Sequence, residues 1–269
     1  MDRRELEKLA RHRDYEIAIA NIVIDEMRLG LSAKQQKILD FMLKEIKPLD
    51  TQDKRYSISI KDYCKEFNID YRKNSTNYLD IKDAVKSINQ HSKWIITNDE
   101  TNEQNLVQWF RNITINPTKA TIEYNIDDTV APYLFGLINK GNYTTHTERE
   151  TGAFESKYSR PLYLILKRYL EVGIKEPILQ IDKLRVLLAA ERYKRNPDFL
   201  RYVLDMAKKE INDFTFMRVG YEAKKGVGSK GYTYIVFNVE WVKENDKDYE
   251  LREWNNAKKF GEMDLYLPF

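Results

Sequence analysis

Cysteine is nearly absent from this chain: Cys64 is the only one in 269 residues. A single thiol excludes an intrachain disulfide and any multi-thiolate metal site, and it suits a reducing compartment. Cys64 itself is read as a small buried hydrophobe rather than a nucleophile. Histidine is equally scarce. His12, His91 and His146 are scattered, with no His-x-His or His-x-x-x-His pair to hold a metal, which argues against a metal-dependent nuclease or a nicking enzyme. No catalytic residue, metal or cofactor is therefore expected, and the chain is read as a non-enzyme. Long apolar runs are missing as well: nothing approaches the roughly 20 residues needed to cross a bilayer. The opening residues Met1, Asp2, Arg3, Arg4, Glu5, Leu6 and Glu7 lack a hydrophobic secretion segment, so the expectation is a soluble, cytoplasmic protein without a membrane partner.

Glycine is sparse too, at 10 residues, yet three of them fall close together. Gly226, Gly228 and Gly231 match GxGxxG, but a dinucleotide site needs a helix after the glycines, and here a β-type run follows. A kinase-type glycine loop would need Val-Ala-Ile-Lys, His-Arg-Asp or Asp-Phe-Gly downstream, and none is present. These glycines belong instead to a hairpin.

What is present is a globular composition, 42% hydrophobic and 12% aromatic, long enough for two domains of roughly 100 to 150 residues. Residues 177–239 spell out a winged helix in order. Ile178, Leu179, Gln180 and Ile181 form a short strand, and Asp182 is placed to N-cap a helix through Ala189. Arg192, Tyr193, Lys194 and Arg195 form the turn. Asn196 and Pro197 open the next helix as cap and first-turn proline, and Leu200, Val203, Leu204, Ala207 and Ile211 recur along it at helical spacing. Its other face carries Arg201, Tyr202, Asp205 and Lys209. The runs 214–223 and 232–239 then flank a glycine loop bearing Lys224, Lys225 and Lys230, which reads as a β-hairpin wing.

Charge follows the same segment. Residues 181–231 hold 12 Lys and Arg against 7 Asp and Glu, a surplus of five, whereas the whole chain is only +3. Positive charge gathered on a turn, a helix start and a wing is the footprint of duplex binding, with Arg192, Lys194, Arg195, Asn196, Arg201, Tyr202, Lys209, Lys224, Lys225 and Lys230 as its candidate DNA contacts; the plain alternative is a solvated charged face on an interaction module.

The first half repeats the plan. Ser32 and Gln35 form a capping box for a helix with Ile38, Leu39, Met42 and Ile46 that ends before Pro48. A strand at 56–60, a short helix at 61–67 closed by a left-handed Asn68, and a helix from about Ser75 to Gln90 come next. Runs 94–97, 107–115 and 121–126 are expected to supply a second wing, and 131–138 a closing helix. Arg72, Lys73, Asn74 and Asn77 at the turn and helix start, with Lys82 on the outer face, are candidates to meet phosphates, a plain solvated loop being the alternative. The polar stretch 139–155 marks the boundary. The expected fold class is α+β, with two tandem winged-helix domains related by pseudo-duplication: 1–145, 146–247, and a C-terminal tail at 248–269. Two copies in one chain can address successive major grooves about one helical turn, roughly 34 Å, apart.

Four strings in order resemble a known family. Ser156-Lys157-Tyr158-Ser159-Arg160-Pro161-Leu162-Tyr163, running into Leu166-Lys167-Arg168-Tyr169, looks like the helix opening the second domain of iteron-binding plasmid replication initiators. Leu31-Ser32-Ala33-Lys34-Gln35-Gln36-Lys37-Ile38-Leu39, Ile58-Ser59-Ile60-Lys61-Asp62-Tyr63 and Ser92-Lys93-Trp94-Ile95 are similar to parts of their first winged helix, over about 21–241 in all. Pro161 departs from the basic residue usual there, and 144–154 is unusually polar. The resemblance implies a protein that binds directly repeated origin sites as a monomer, opens the duplex, recruits host replication proteins, and as a dimer represses its own gene. It further implies that the second winged helix is the main base reader and the first contacts backbone or another subunit. A transcriptional repressor, or a protein-binding scaffold on the same modules, are the competing readings; a rolling-circle nickase has tyrosines available but lacks the paired histidines.

The run from Asp264 to Phe269 is the last feature. Leu265, Leu267, Pro268 and Phe269 resemble the short clamp-binding peptides of bacterial replication proteins, with Asp264 in place of the usual glutamine. The other reading is that the three apolar side chains pack onto the second domain, beside Trp254 and Phe260, where burial stabilises by several kcal/mol on the order of the usual side-chain values.

Overall fold

Each half of the chain builds a three-stranded antiparallel sheet with the same strand order, first, third, second. The computed structural model describes residues 16–26, 28, 30–47, 50–72, 76–91, 94–97, 104–137, 142–244, 246 and 249–260. The first half runs β1 (Glu16–Ala20), α1 (Asn21–Glu26), α2 (Ala33–Leu43), β2 (Arg55–Ser59), α3 (Ile60–Glu66) and α4 (Thr76–His91). It continues through β3 (Trp94–Thr97), β4 (Gln104–Val107), β5 (Phe110–Asn116), β6 (Thr121–Ile126), a 3-10 turn (Ala131–Tyr133), β7 (Tyr143–Thr147) and α5 (Glu148–Gly152). The second half runs α6 (Ser159–Glu171), β8 (Ile178–Gln180), α7 (Ile181–Leu187), α8 (Asn196–Phe199), a π-helical turn (Leu200–Leu204) and α9 (Asp205–Phe214). The wing strands β9 (Met217–Lys225) and β10 (Tyr232–Trp241) follow, then α10 (Tyr249–Phe260). The sheets are β2-β6-β5 and β8-β10-β9.

The duplication extends to single side chains. Near the end of α4, the Asn89 amide donates to the Phe110 carbonyl at 2.5 Å while its oxygen accepts from the Phe110 N–H at 3.2 Å. Near the end of α9, Asn212 does the same with Val219, at 3.0 and 2.7 Å. In both halves an asparagine thus supplies the donor and acceptor that a neighbouring strand would, seating the second helix on the first wing strand.

Local chemistry explains the remaining elements. Along β2, Tyr56 and Ile58 turn inward and Arg55 and Ser57 outward, the period of a half-buried strand. Ser59 then caps α3, accepting from the Asp62 N–H at 3.2 Å, and Asn68 leaves that helix at φ +50°, a conformation its short polar side chain tolerates. Ile81, Val85 and Ile88 of α4 are buried, as are Trp109 and the sheet residues Ile122 and Tyr124. Tyr124 stacks on Tyr56 at 5.6 Å and donates its hydroxyl to the Met42 carbonyl at 2.6 Å. In the second half Phe199, Val203, Leu204, Ala207 and Ile211 are buried with Val219, Ile235, Phe237 and Val239. Leu200, expected in that stripe, is only half-buried.

Several local expectations are corrected. The helix before the turn begins at Ile181 with Gln180 at the cap, and Asp182 lies in its first turn, paired with Arg185 at 2.6 Å. It ends at Leu187, and Ala189 stands at φ +47°, outside any helix. Helix α2 stops at Leu43, short of Ile46. Residues 94–97 do not join the first wing but pair with β4 in a separate ribbon, so the wing is β5 and β6 alone, closed by a tight turn with Ala120 at φ +53°. Of the expected closing helix, the described residues show a 3-10 turn at Ala131–Tyr133 and a helical Leu137 at their edge; Ser75 and Ile138, the expected ends of two helices, lie outside the described residues.

Two compact units emerge, 1–27 with 34–152 and 28–33 with 153–269. The division falls later than 145/146 because His146 and Thr147 belong to β7, whose partner is β1 at the other end of the first unit. The expected tail from 248 contributes α10 to the second unit, where Arg252 donates to the Thr215 and Met217 carbonyls, Asn255 to Asp213 and Asn256 to Phe214. Carbonyls at and just beyond the end of α9, which have no partner within the helix, are satisfied this way. Among the described residues no helix is long and apolar enough to cross a membrane.

Candidate nucleic-acid interface

In the second unit the turn between α7 and α8 carries Arg192, Lys194 and Arg195, all exposed. Arg192 donates to the Tyr193 hydroxyl at 2.6 Å and lies over that ring at 4.7 Å; Arg195 approaches Asp198 only at 4.0 Å. Tyr193 stacks on Tyr202 with centroids 6.0 Å apart, and Tyr158 meets Tyr193 edge-on at 6.3 Å. Each of these rings has a cation over it: Lys157 over Tyr158 at 5.1 Å, Arg192 over Tyr193, Arg201 over Tyr202 at 5.4 Å. Burial, with Arg192 close by, pulls the Lys157 ammonium below its ordinary pKa.

The recognition helix is not uniform. The Asp205 N–H bonds to the Leu200 carbonyl, one residue further back than in an α-helix, and this π turn spans Leu200–Leu204. Such turns are rare and occur often at functional sites. Arg201 and Tyr202 sit within it, both exposed, Tyr202 by 48%. Arg201 is not engaged with Asp205, whose carboxylate takes the Tyr221 hydroxyl at 2.7 Å and faces Lys208 at 3.7 Å. Further along, Lys209 is exposed but bound to Asp213 at 2.5 Å.

Asn196 does not cap its helix. The cap residue is Arg195, without a side-chain bond, and the Asn196 side chain instead bridges Arg185 and the Tyr232 carbonyl of the wing. The wing is a long ribbon whose tip depends on glycine. A Cβ at Gly226 would meet Thr233 Oγ1 at 2.8 Å, and Gly228 stands at φ +76°. Lys224 leans to Glu222 at 3.3 Å, while Lys225 and Lys230 are exposed with no ion pair among the described residues.

The first unit offers less. Arg72 is exposed and paired with Asp70 at 3.1 Å. Asn77 donates to the Asp70 carbonyl at 3.1 Å, and Lys82 lies over the Tyr78 ring at 5.5 Å. Lys73 and Asn74 lie outside the described residues, as do Leu265, Leu267, Pro268 and Phe269. Arg185 was missed from the sequence. The only signal for it was the i,i+3 spacing from Asp182, which reads as an ordinary surface pair.

A strand, two helices and a two-stranded wing, occurring twice with the same sheet order, define a tandem winged-helix protein. Two family models agree: the chain matches the first winged helix of the initiator replication proteins over 16–167 and the second over 180–239. It belongs to that family and is a plasmid-type replication initiator. Among solved structures it is similar to the Pi initiator protein, crystallised in complex with iteron DNA, with a TM-score of 0.70 and 22% identity over 87% of this chain and 99% of the other. That likeness shows the fold. The first winged-helix domain of the MSBI1.176 replication protein, isolated from a multiple sclerosis patient, aligns over 40% of this chain and 79% of its own at 20% identity, with a TM-score of 0.29.

Proposed function

We propose that the chain binds double-stranded DNA carrying directly repeated origin sequences, or iterons, through its two winged helices. The carrying observation is that Arg201 and Tyr202 stand exposed on the second helix, with Arg192 and Lys194 on the turn and Lys225 and Lys230 on the wing exposed alongside. A guanidinium near a recognition-helix start can bond a guanine edge, and wing lysines suit phosphates, which position a protein without reading sequence. The iteron complex of the Pi initiator supports the same assignment. On this reading monomers occupy the repeats, dimers repress the gene, the duplex is opened by binding energy and deformation, and host replication proteins are recruited, the sliding clamp by 264–269. No bond chemistry is involved, and the chain acts as a non-enzyme.

Supplying the protein in trans to cells that carry only the candidate origin tests it. Maintenance of that origin is the expected result. A protein that silences a reporter next to the repeats yet never supports replication is a repressor, and the initiator reading fails.

A further inference from the structure

Each of the three nitrogens of the Arg185 side chain donates to a partner within the second unit. Its side chain is 12% exposed; Nε donates to the Tyr193 carbonyl at 3.1 Å, one terminal nitrogen to Asp182 at 2.6 Å, and the other to Asn196 Oδ1. The guanidinium also lies 5.2 Å from the centre of the Phe199 ring. One side chain of α7 thereby holds the turn, the first residue of α8, and the first core residue of the recognition helix. A planar fork suits this, because its donors are fixed relative to one another.

Asn196 carries the connection onward. Its oxygen is taken by Arg185, and its Nδ2 donates to the Tyr232 carbonyl at 2.7 Å. Tyr232 opens β10 directly opposite Lys225, just before the register shifts at Thr233. The wing is thus tied to the recognition helix beside one of the exposed lysines.

Granting the DNA-reading function proposed above, we propose that Arg185 and Asn196 are positioning residues that join the recognition helix to the wing, so that base reading and phosphate binding engage as one body. A wing free to swing would find phosphates in any register while the helix stays out of register with the bases. Affinity for arbitrary DNA would persist and discrimination would fall. The strut converts wing docking into register.

The test uses the full chain and the duplex that the wild type enriches from a random-sequence pool, against a scrambled duplex of equal length. Asn196→Ala removes both bonds. Asn196→Asp keeps an acceptor for Arg185 but cannot donate to Tyr232, so it cuts only the wing tie and holds the fold if the alanine variant does not. In both, the ratio of scrambled to selected Kd should fall roughly ten-fold, the discrimination that a single base-reading side chain supplies, whatever uniform change the new charge brings. The effects of Arg201→Ala and Lys225→Ala should overlap in the wild type and become additive in Asn196→Asp. A discriminating wild type whose Asn196 variants discriminate equally well overturns the strut alone. A wild type that enriches no duplex overturns the DNA-reading function, and the strut with it.

Discussion

Replacing Arg201 with alanine separates reading from folding. The side chain is exposed, it lies over the Tyr202 ring at 5.4 Å, and Asp205, four residues on, is engaged by Tyr221 and Lys208 instead. An exposed cation–π interaction is worth about 0.5 to 1 kcal/mol, so the melting temperature should move by only a few degrees. A bidentate bond to a base carries about 1 to 3 kcal/mol of discrimination, a factor of roughly 5 to 150. Competition binding at fixed salt, with the selected duplex and variants altered one base pair at a time, is the assay. The expected result is weaker binding to the selected site with one position relaxed, and little change on scrambled DNA. If Arg201→Ala keeps both affinity and preference, the π turn presents something other than a base-reading residue and the assignment fails.

The wing should behave differently. Substituting Lys224, Lys225 and Lys230 by alanine should weaken binding to all duplexes alike and shrink the salt slope by about one for each phosphate no longer neutralised, with Lys224 contributing least because Glu222 already holds it; a changed site preference at constant slope would show that the wing reads bases or groove shape. In the first unit, burial pushes the Glu148 carboxyl from 4.5 up to about 7 although Lys44 opposes the shift by hydrogen bond and charge. An acid raised on folding stabilises at low pH and loses that contribution as pH climbs through the folded value, so wild-type stability should fall between about pH 4.5 and above 7 by up to about 3 kcal/mol. Glu148→Gln, which still accepts from Lys44, should flatten that slope in denaturant melts across pH; an unchanged slope places the titration elsewhere. Deleting residues 264–269 should leave stability and DNA binding intact while abolishing capture by a purified sliding clamp; a marked drop in melting temperature, with no clamp binding by the intact chain, would leave only a packing role.

Much of the plan was legible because it is written locally. The inward stripes Ile81, Ala84, Val85, Ile88 and Val203, Leu204, Ala207, Ile211 follow from a helical period, and all are buried. Asn68 at φ +50° and the glycine tip of the second wing follow from what one side chain allows at one residue. The order of strand, helix, helix and hairpin read twice along the chain needs only periodicity and turn residues, and the tandem winged helices it pointed to are the fold observed.

What local rules could not reach is the choice of partner across sequence distance. Asn196 has the chemistry of a cap, and nothing within four residues says that its amide will instead join Arg185, 11 residues before it, to Tyr232, 36 residues after. Asp182 and Arg185 read as a surface pair until Tyr193 and Asn196 arrive on the other side of the guanidinium. The π turn at 200–204 leaves no mark in the apolar spacing, yet Arg201 and Tyr202 sit within it. The boundary moved to 152/153 because β7 finds β1 more than 120 residues away, a pairing that closes only when the first unit folds. Periodicity and conformational preference are properties of neighbours in the chain and so belong to the sequence alone; which of several competent polar partners a side chain takes is decided by the packed core that brings them within 3 Å.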